Sequence, residues 1–259
     1  MKIYILADME GISGIRMPEQ VSKERPEYGP ACELMMQDIN VAIEAAFDAG
    51  ATDVVACDTH GSGGQVEVAK MDPRAVYETP NSGQIMPALD ASFAGVVLLG
   101  HHARAGTLAA FLDHTMSSEA WFEYRVNGRA VGEIGIEAAW AGHFDVPVIA
   151  VSGDGATAAE AKELLGDVEC AVVKWAVGRN RARCLALPEA HRRIRETVGE
   201  AVRTAGRFKP WKPSLPATVQ LTLYRSDMAD RIAAQAGIER VDARTVRKTV
   251  SSLKDLHFW

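Results

Sequence analysis

Along this chain, short apolar runs repeatedly break into polar clusters. Lys2–Ala7 leads into Asp8-Met9-Glu10, Val54–Cys57 into Asp58-Thr59-His60, and Val96–Gly100 into His101-His102. Unbroken apolar runs of this length suit strands buried on both faces of a parallel sheet. Helical periodicity lies between them. Met35, Met36, Ile39, Ile43, Ala46 and Phe47 recur at three- and four-residue spacing, which predicts a helix over Cys32–Ala49 stopped by Gly50. Strands are expected over Lys2–Asp8, Val54–Asp58, Phe93–Gly100, Val146–Ser152 and Val168–Trp175, with helices over Gly132–His143 and Ala156–Leu165. Asn127-Gly128, between Ala120–Val126 and Arg129–Val131, is a strong hairpin signal. This alternation predicts an α/β fold: a mostly parallel sheet, helices on both faces and an antiparallel hairpin insertion.

The later part of the chain reads differently. Pro188–Thr204 is a charged amphipathic helix, and Phe208–Pro216, with three prolines, is the clearest linker. A strand over Thr218–Tyr224, a short helix over Asp227–Ala236 and a strand over Arg240–Thr249 follow. The expected division is a catalytic, metal-binding α/β domain over residues 1–185 and a smaller C-terminal α+β subdomain over 186–259.

Composition narrows the function classes. A net charge of −6 supplies no basic patch for nucleic acid. No apolar run approaches the roughly 20 residues that span a bilayer, so no membrane partner is expected. Asp8 and Glu10 interrupt the first apolar run too early for a signal peptide. Cys32, Cys57, Cys170 and Cys184 form no C-x-x-C pair and read as free thiols in a reducing compartment, hence a cytoplasmic protein. A G-x-S-x-G elbow, a P-loop and H-E-x-x-H are all missing, which removes the usual support for serine hydrolase and nucleotide-binding readings.

In an open α/β sheet, ligands gather at the carboxyl ends of strands. Carboxylates and imidazoles together form the ligand set of a hydrolytic metal centre. Asp8 and Glu10, two apart on extended backbone, can share one face, and Asp8 can bridge two cations. His60 follows the second strand as a ligand or an ordinary loop residue. His101 and His102 face opposite ways, so at most one joins a site, and Arg104 shares the side of His102, where it can receive a substrate carboxylate. His114 is a general acid or base, or an exposed loop residue. Glu133 is a further ligand, or a carboxylate that suits a helix N-terminus. Asp154 is at most a supporting residue, and His143, His191 and His257 receive no role.

The chain also resembles a known family. Lys2–Gly14 (KIYILADMEGISG), Asp58–Ser62 (DTHGS), Leu99–Ala105 (LGHHARA), His114–Met116 (HTM), Asn127–Gly135 (NGRAVGEIG) and Asp145–Asp154 (DVPVIAVSGD) resemble, in order, the D-aminopeptidase (DppA-type) family of zinc metallopeptidases. The resemblance implies two zinc ions per subunit bridged by Asp8, with Glu10 and His60 completing one and His102 and Glu133 the other. It implies His114 as the catalytic residue. The implied substrates are short peptides with an N-terminal D-residue, such as D-Ala-D-Ala, and the implied assembly is a large ring-like homo-oligomer such as a decamer. Substrate chirality is carried by the resemblance alone. The alternatives are another metal-dependent amidohydrolase, an L-peptide aminopeptidase, or a non-catalytic dipeptide-binding protein on the same scaffold. The apolar tail Leu256-His257-Phe258-Trp259 can bury against a neighbour or against its own domain.

Overall fold

The structure, a computed structural model, describes residues 1–80 and 84–258. Strand β1 (Lys2–Ala7) leads through α1 (Tyr28–Asp48) to β2 (Asp53–Asp58), the short β3 (Val76–Glu78) and β4 (Phe93–His101). The hairpin β5 (Trp121–Val126) and β6 (Arg129–Ala130) precedes α2 (Glu133–His143), β7 (Val148–Asp154), α3 (Gly155–Leu165) and β8 (Glu169–Gly178). The chain continues through β9 (Arg181–Cys184), α4 (Leu187–Arg203), β10 (Ala217–Leu223), α5 (Ser226–Ala233), β11 (Glu239–Arg240) and β12 (Thr245–Val250). Helix α1 starts before the expected Cys32 because Pro30 sits in its first turn, where a missing N–H costs nothing.

The main sheet has the order β3-β2-β1-β4-β7-β8-β9. All its pairs are parallel except β8 with β9. The chain steps outward from β1 through β2 to β3, then returns to the other side of β1 at β4. That reversal opens a crevice at the carboxyl ends of β1 and β4, where α/β proteins bind ligands. Side chains of β1 alternate between two cores. Ile3, Ile5 and Ala7 pack with residues of α1 and α4, while Tyr4 and Leu6 pack on the opposite face with α2. The expected parallel sheet with helices on both faces is what forms.

The hairpin turns at Asn127 and Gly128, both at positive φ, as expected. It is inserted in the chain but not in the parallel sheet. It joins a second, wholly antiparallel sheet of order β11-β12-β10-β5-β6. Helix α2 lies between the two sheets and is buried over Glu133–Gly142, its apolar faces in the shared core and Glu133 and Glu137 on the cavity side. Arg240–Thr249, expected as one strand, is broken because Asp242 Oδ1 accepts the backbone N–H groups of Arg244 and Thr245 and makes a turn. Strands β3 and β9 lie outside the runs read from sequence.

The expected division at residue 185 falls between β9 and α4. The second sheet draws strands from both sides of that point, and α4 packs on α1 and β8. The C-terminal tail folds back on its own chain: Leu256 and Phe258 are buried, Phe258 beside the rings of Trp121 and Tyr124, and Tyr124 donates its hydroxyl to the Leu256 carbonyl. Trp259 lies outside the described residues.

Candidate metal centre

Backbone contact alone brings the ends of β1 and β4 together. Asp8 N–H donates to the Leu99 carbonyl at 2.8 Å, and Gly11 N–H to the Gly100 carbonyl at 2.7 Å. Gly100 has φ +70°, and a Cβ there would stand 2.4 Å from the Asp8 carbonyl oxygen. A Cβ on Gly11 would stand 2.1 Å from the carbonyl oxygen of His101. Only glycine fits at these two points, and so the segments carrying Asp8, Glu10 and His102 lie side by side.

The structure brings together all six residues singled out for the site. His60 Nδ1 is 3.2 Å from Asp8 Oδ1 and 3.2 Å from Glu10 Oε2. His102 Nε2 is 3.3 Å from Asp8 Oδ2 and 3.3 Å from Glu133 Oε1. His114 Nε2 lies 3.7 Å from Glu133 Oε1, and its ring stacks on His102 with centroids 3.9 Å apart. Two sets of three donors result: Asp8, Glu10 and His60, and His102, His114 and Glu133. Asp8 touches both, through one oxygen each.

The far nitrogen of every imidazole faces a backbone carbonyl. His102 Nδ1 is 3.1 Å from Ala103 O, His114 Nδ1 is 2.7 Å from Leu112 O, and His60 Nε2 is 3.1 Å from Val21 O. A carbonyl can only accept, so those nitrogens carry the protons. In a neutral ring the inward nitrogen then presents a lone pair, and it presents it to carboxylate oxygens. Only a second proton or a cation makes that arrangement attractive. Asp8 Oδ2 and His102 Nε2 are buried, 3.3 Å apart and, among the described residues, without a hydrogen-bond partner. Such an orphaned pair fits a shared cation, and mixed nitrogen and oxygen donors suit zinc.

The field of the cluster is strongly cation-seeking. Burial opposes charging His60, yet the carboxylates of Glu10 and Asp8 outweigh it and push its pKa up to about 12. Burial also opposes ionising Glu133, but His102 pulls its carboxyl down to about 2. Asp8, although burial opposes its ionisation, is held well below the ordinary carboxylate range by His102 and His60.

Neighbouring residues steady this constellation. Met116 N–H donates to Glu133 Oε1 at 2.6 Å. Asp154 caps α3 through Thr157 N–H and accepts Phe111 N–H at 2.8 Å, tying down the segment that leads to His114. Lys174, fully buried on β8, donates to the carbonyls of Glu10 and Ile15 at 2.7 Å each, and burial brings its pKa down to about 8. The cluster opens into a cavity of about 630 Å³, within the range of pockets that bury small ligands.

One expectation needs amending. Arg104 does not face the cluster: its backbone N–H and guanidinium both meet Glu160 on α3, and it lines small clefts there. His101 stays outside both donor sets, and its Nε2 lies 2.6 Å from Oε2 of a cavity-lining carboxylate that the sequence reading missed, Glu137. Its position, one helical turn after Glu133, was the available signal. Lys174 left none, since its partners lie more than 150 residues away. His191 meets Asp38, His143 packs on Phe144 and His257 on Trp140.

Fold and donor set together describe a metal-dependent hydrolase whose site occupies the crevice of a parallel sheet. Comparison with known proteins narrows the class. The model of the D-aminopeptidase family matches residues 1–259. The D-aminopeptidase of Bacillus subtilis (strain 168) is 36% identical over 218 residues, 82% of this chain and 78% of that one. A solved structure, the Zn-dependent D-aminopeptidase DppA from Bacillus subtilis, a self-compartmentalizing protease, superposes with a TM-score of 0.95 at 30% identity, over 99% of this chain and 94% of that one. The chain belongs to the D-aminopeptidase family, which places it among hydrolases that act on peptide bonds. Among the described residues, no helix is long and apolar enough to cross a membrane, and the four cysteines are free.

Proposed function

We propose that this chain is a zinc-dependent aminopeptidase that removes an N-terminal D-residue from short peptides such as D-Ala-D-Ala, using two zinc ions. The observation that carries the reading is the orientation of three imidazoles, each with its outer nitrogen on a backbone carbonyl and its inner nitrogen facing carboxylates. Asp8 would bridge the ions, with Glu10 and His60 on one and His102 and Glu133 on the other. Bound zinc supplies Lewis acidity, which lowers the pKa of water and polarises a carbonyl.

The protein's own groups do the rest. Asp8 and Glu133 fix the spacing of the two donor sets. The cavity holds the peptide over them. His114, whose Nδ1–H donates to Leu112 O, would turn Nε2 toward the cavity, where it can accept a proton and deliver it to the departing amine. Its stacking on His102 keeps the ring in that attitude. Residues 1–185 hold every proposed ligand, and residues 186–259 would act as a supporting α+β part. The self-compartmentalizing relative supports a ring-like assembly of several copies, a decamer among them, and free thiols support a cytoplasmic setting.

The test is zinc content measured together with turnover of D-Ala-D-Ala and L-Ala-L-Ala. Two zinc equivalents per chain and preferential cleavage of the D-peptide are expected. Equal cleavage of both would favour an L-peptide or general amidohydrolase. Full zinc without any turnover would favour a dipeptide-binding protein.

A further inference from the structure

Glu137 takes no part in the scheme above, yet it is only 4% exposed and lines the same cavity as Asp8, Glu10, Glu133 and His114. It follows Glu133 by four residues on α2, so both carboxylates project from one face of the helix. One oxygen, Oε2, is taken by His101 Nε2 at 2.6 Å. The other, Oε1, meets no hydrogen-bond donor among the described residues. His101 is itself wholly buried, and its second nitrogen faces the Leu99 carbonyl at 3.3 Å. The contact with His101 fixes the Glu137 side chain and leaves Oε1 on the cavity side.

Charge in the cavity points to the ligand. The described lining residues include five carboxylates, those of Asp8, Glu10, Glu119, Glu133 and Glu137, and no lysine or arginine. Asp8, Glu10 and Glu133 are already assigned as proposed zinc ligands. Glu119 is exposed and therefore solvated and screened. Glu137 is the buried acid left over, in surroundings where a charge-assisted hydrogen bond is strong.

Resting on the aminopeptidase reading, we propose that Glu137 Oε1 receives the N-terminal ammonium of the peptide, with His101 as the positioning residue behind it. The site would thereby require a free, charged amino terminus. An ammonium N–H donates to Oε1, and no bond is made or broken at Glu137.

The test uses the full-length, zinc-loaded protein with two chromogenic substrates, D-alanine p-nitroanilide and D-lactic acid p-nitroanilide, the second carrying hydroxyl in place of ammonium. Glu137→Gln is expected to raise KM for the amine about 10- to 100-fold, the range for a lost hydrogen bond to a charged group. For the hydroxy compound KM should hardly move, with zinc content and kcat for the amine near wild type. Equal effects on both substrates would make the His101–Glu137 pair purely structural and overturn the proposal. Where the Gln variant loses zinc or fold, Glu137→Asp applies the same criterion, with a smaller selective rise expected. Equal kcat/KM for the two substrates in the wild-type protein would also overturn it, with no variant needed. If the zinc-loaded wild type cleaves neither compound, the peptidase reading itself fails, an outcome distinct from loss of the amine preference.

Discussion

Carbonyl groups outside the cluster aim each imidazole, so single side chains in it have separable duties. Among the described residues, Asp8 is the carboxylate that reaches a histidine of each donor set, through different oxygens. Asp8→Ala should therefore lose more than one zinc equivalent, as measured by elemental analysis, and retention of two would remove its bridging assignment. His114 poses a finer question because it stands within reach of the same ion as His102 and Glu133. At 3.7 Å from Glu133 it is the loosest member of its set. His114→Ala should keep zinc near the wild-type level while lowering kcat by about 10²- to 10⁴-fold, the usual worth of general acid–base catalysis. Loss of one zinc equivalent in that variant would make His114 a ligand instead.

Among elements, the decisive contact joins the ends of β1 and β4. Gly100→Ala places an L-residue at φ +70° and drives a Cβ into the Asp8 carbonyl. The conformational strain alone is about 1–2 kcal/mol. The larger expected effect is on zinc affinity, because Asp8 and His102 are pushed apart. A melting curve and a zinc titration on the same variant would show it, and unchanged affinity would mean the loops have slack. This junction was legible in the sequence because an apolar strand betrays its own end: the run Lys2–Ala7 stops where Asp8 begins, and Val96–Gly100 where His101-His102 begins. Glu133 and His114 were legible as candidates but not as neighbours. Glu137 and Lys174 were hidden because their partners are set by tertiary packing, which no local period encodes. The hairpin announced its turn at Asn127-Gly128 but not its partner strand, since β10 lies some 90 residues later. Arg104 misled for the opposite reason: its spacing from His102 was right, but the backbone turns it toward Glu160.

At the scale of the whole molecule, the two sheets share one apolar core around α2, and the C-terminal tail seals it. Phe258→Ala should destabilise the fold by about 3–5 kcal/mol, as removal of a buried aromatic does, without changing the number of subunits measured by light scattering. A change in that number would return the tail to an intersubunit role. The crossing of the second sheet over the length of the chain also bears on the order of events during synthesis. Strand β5, just upstream of Glu133, pairs with β10, which includes Leu223. On a ribosome, the first six strands and α2 emerge well before β10 exists to receive the hairpin. The helix that carries the last proposed ligand therefore gains its second-sheet packing only after β10 has been made, although its packing on β1 is available earlier.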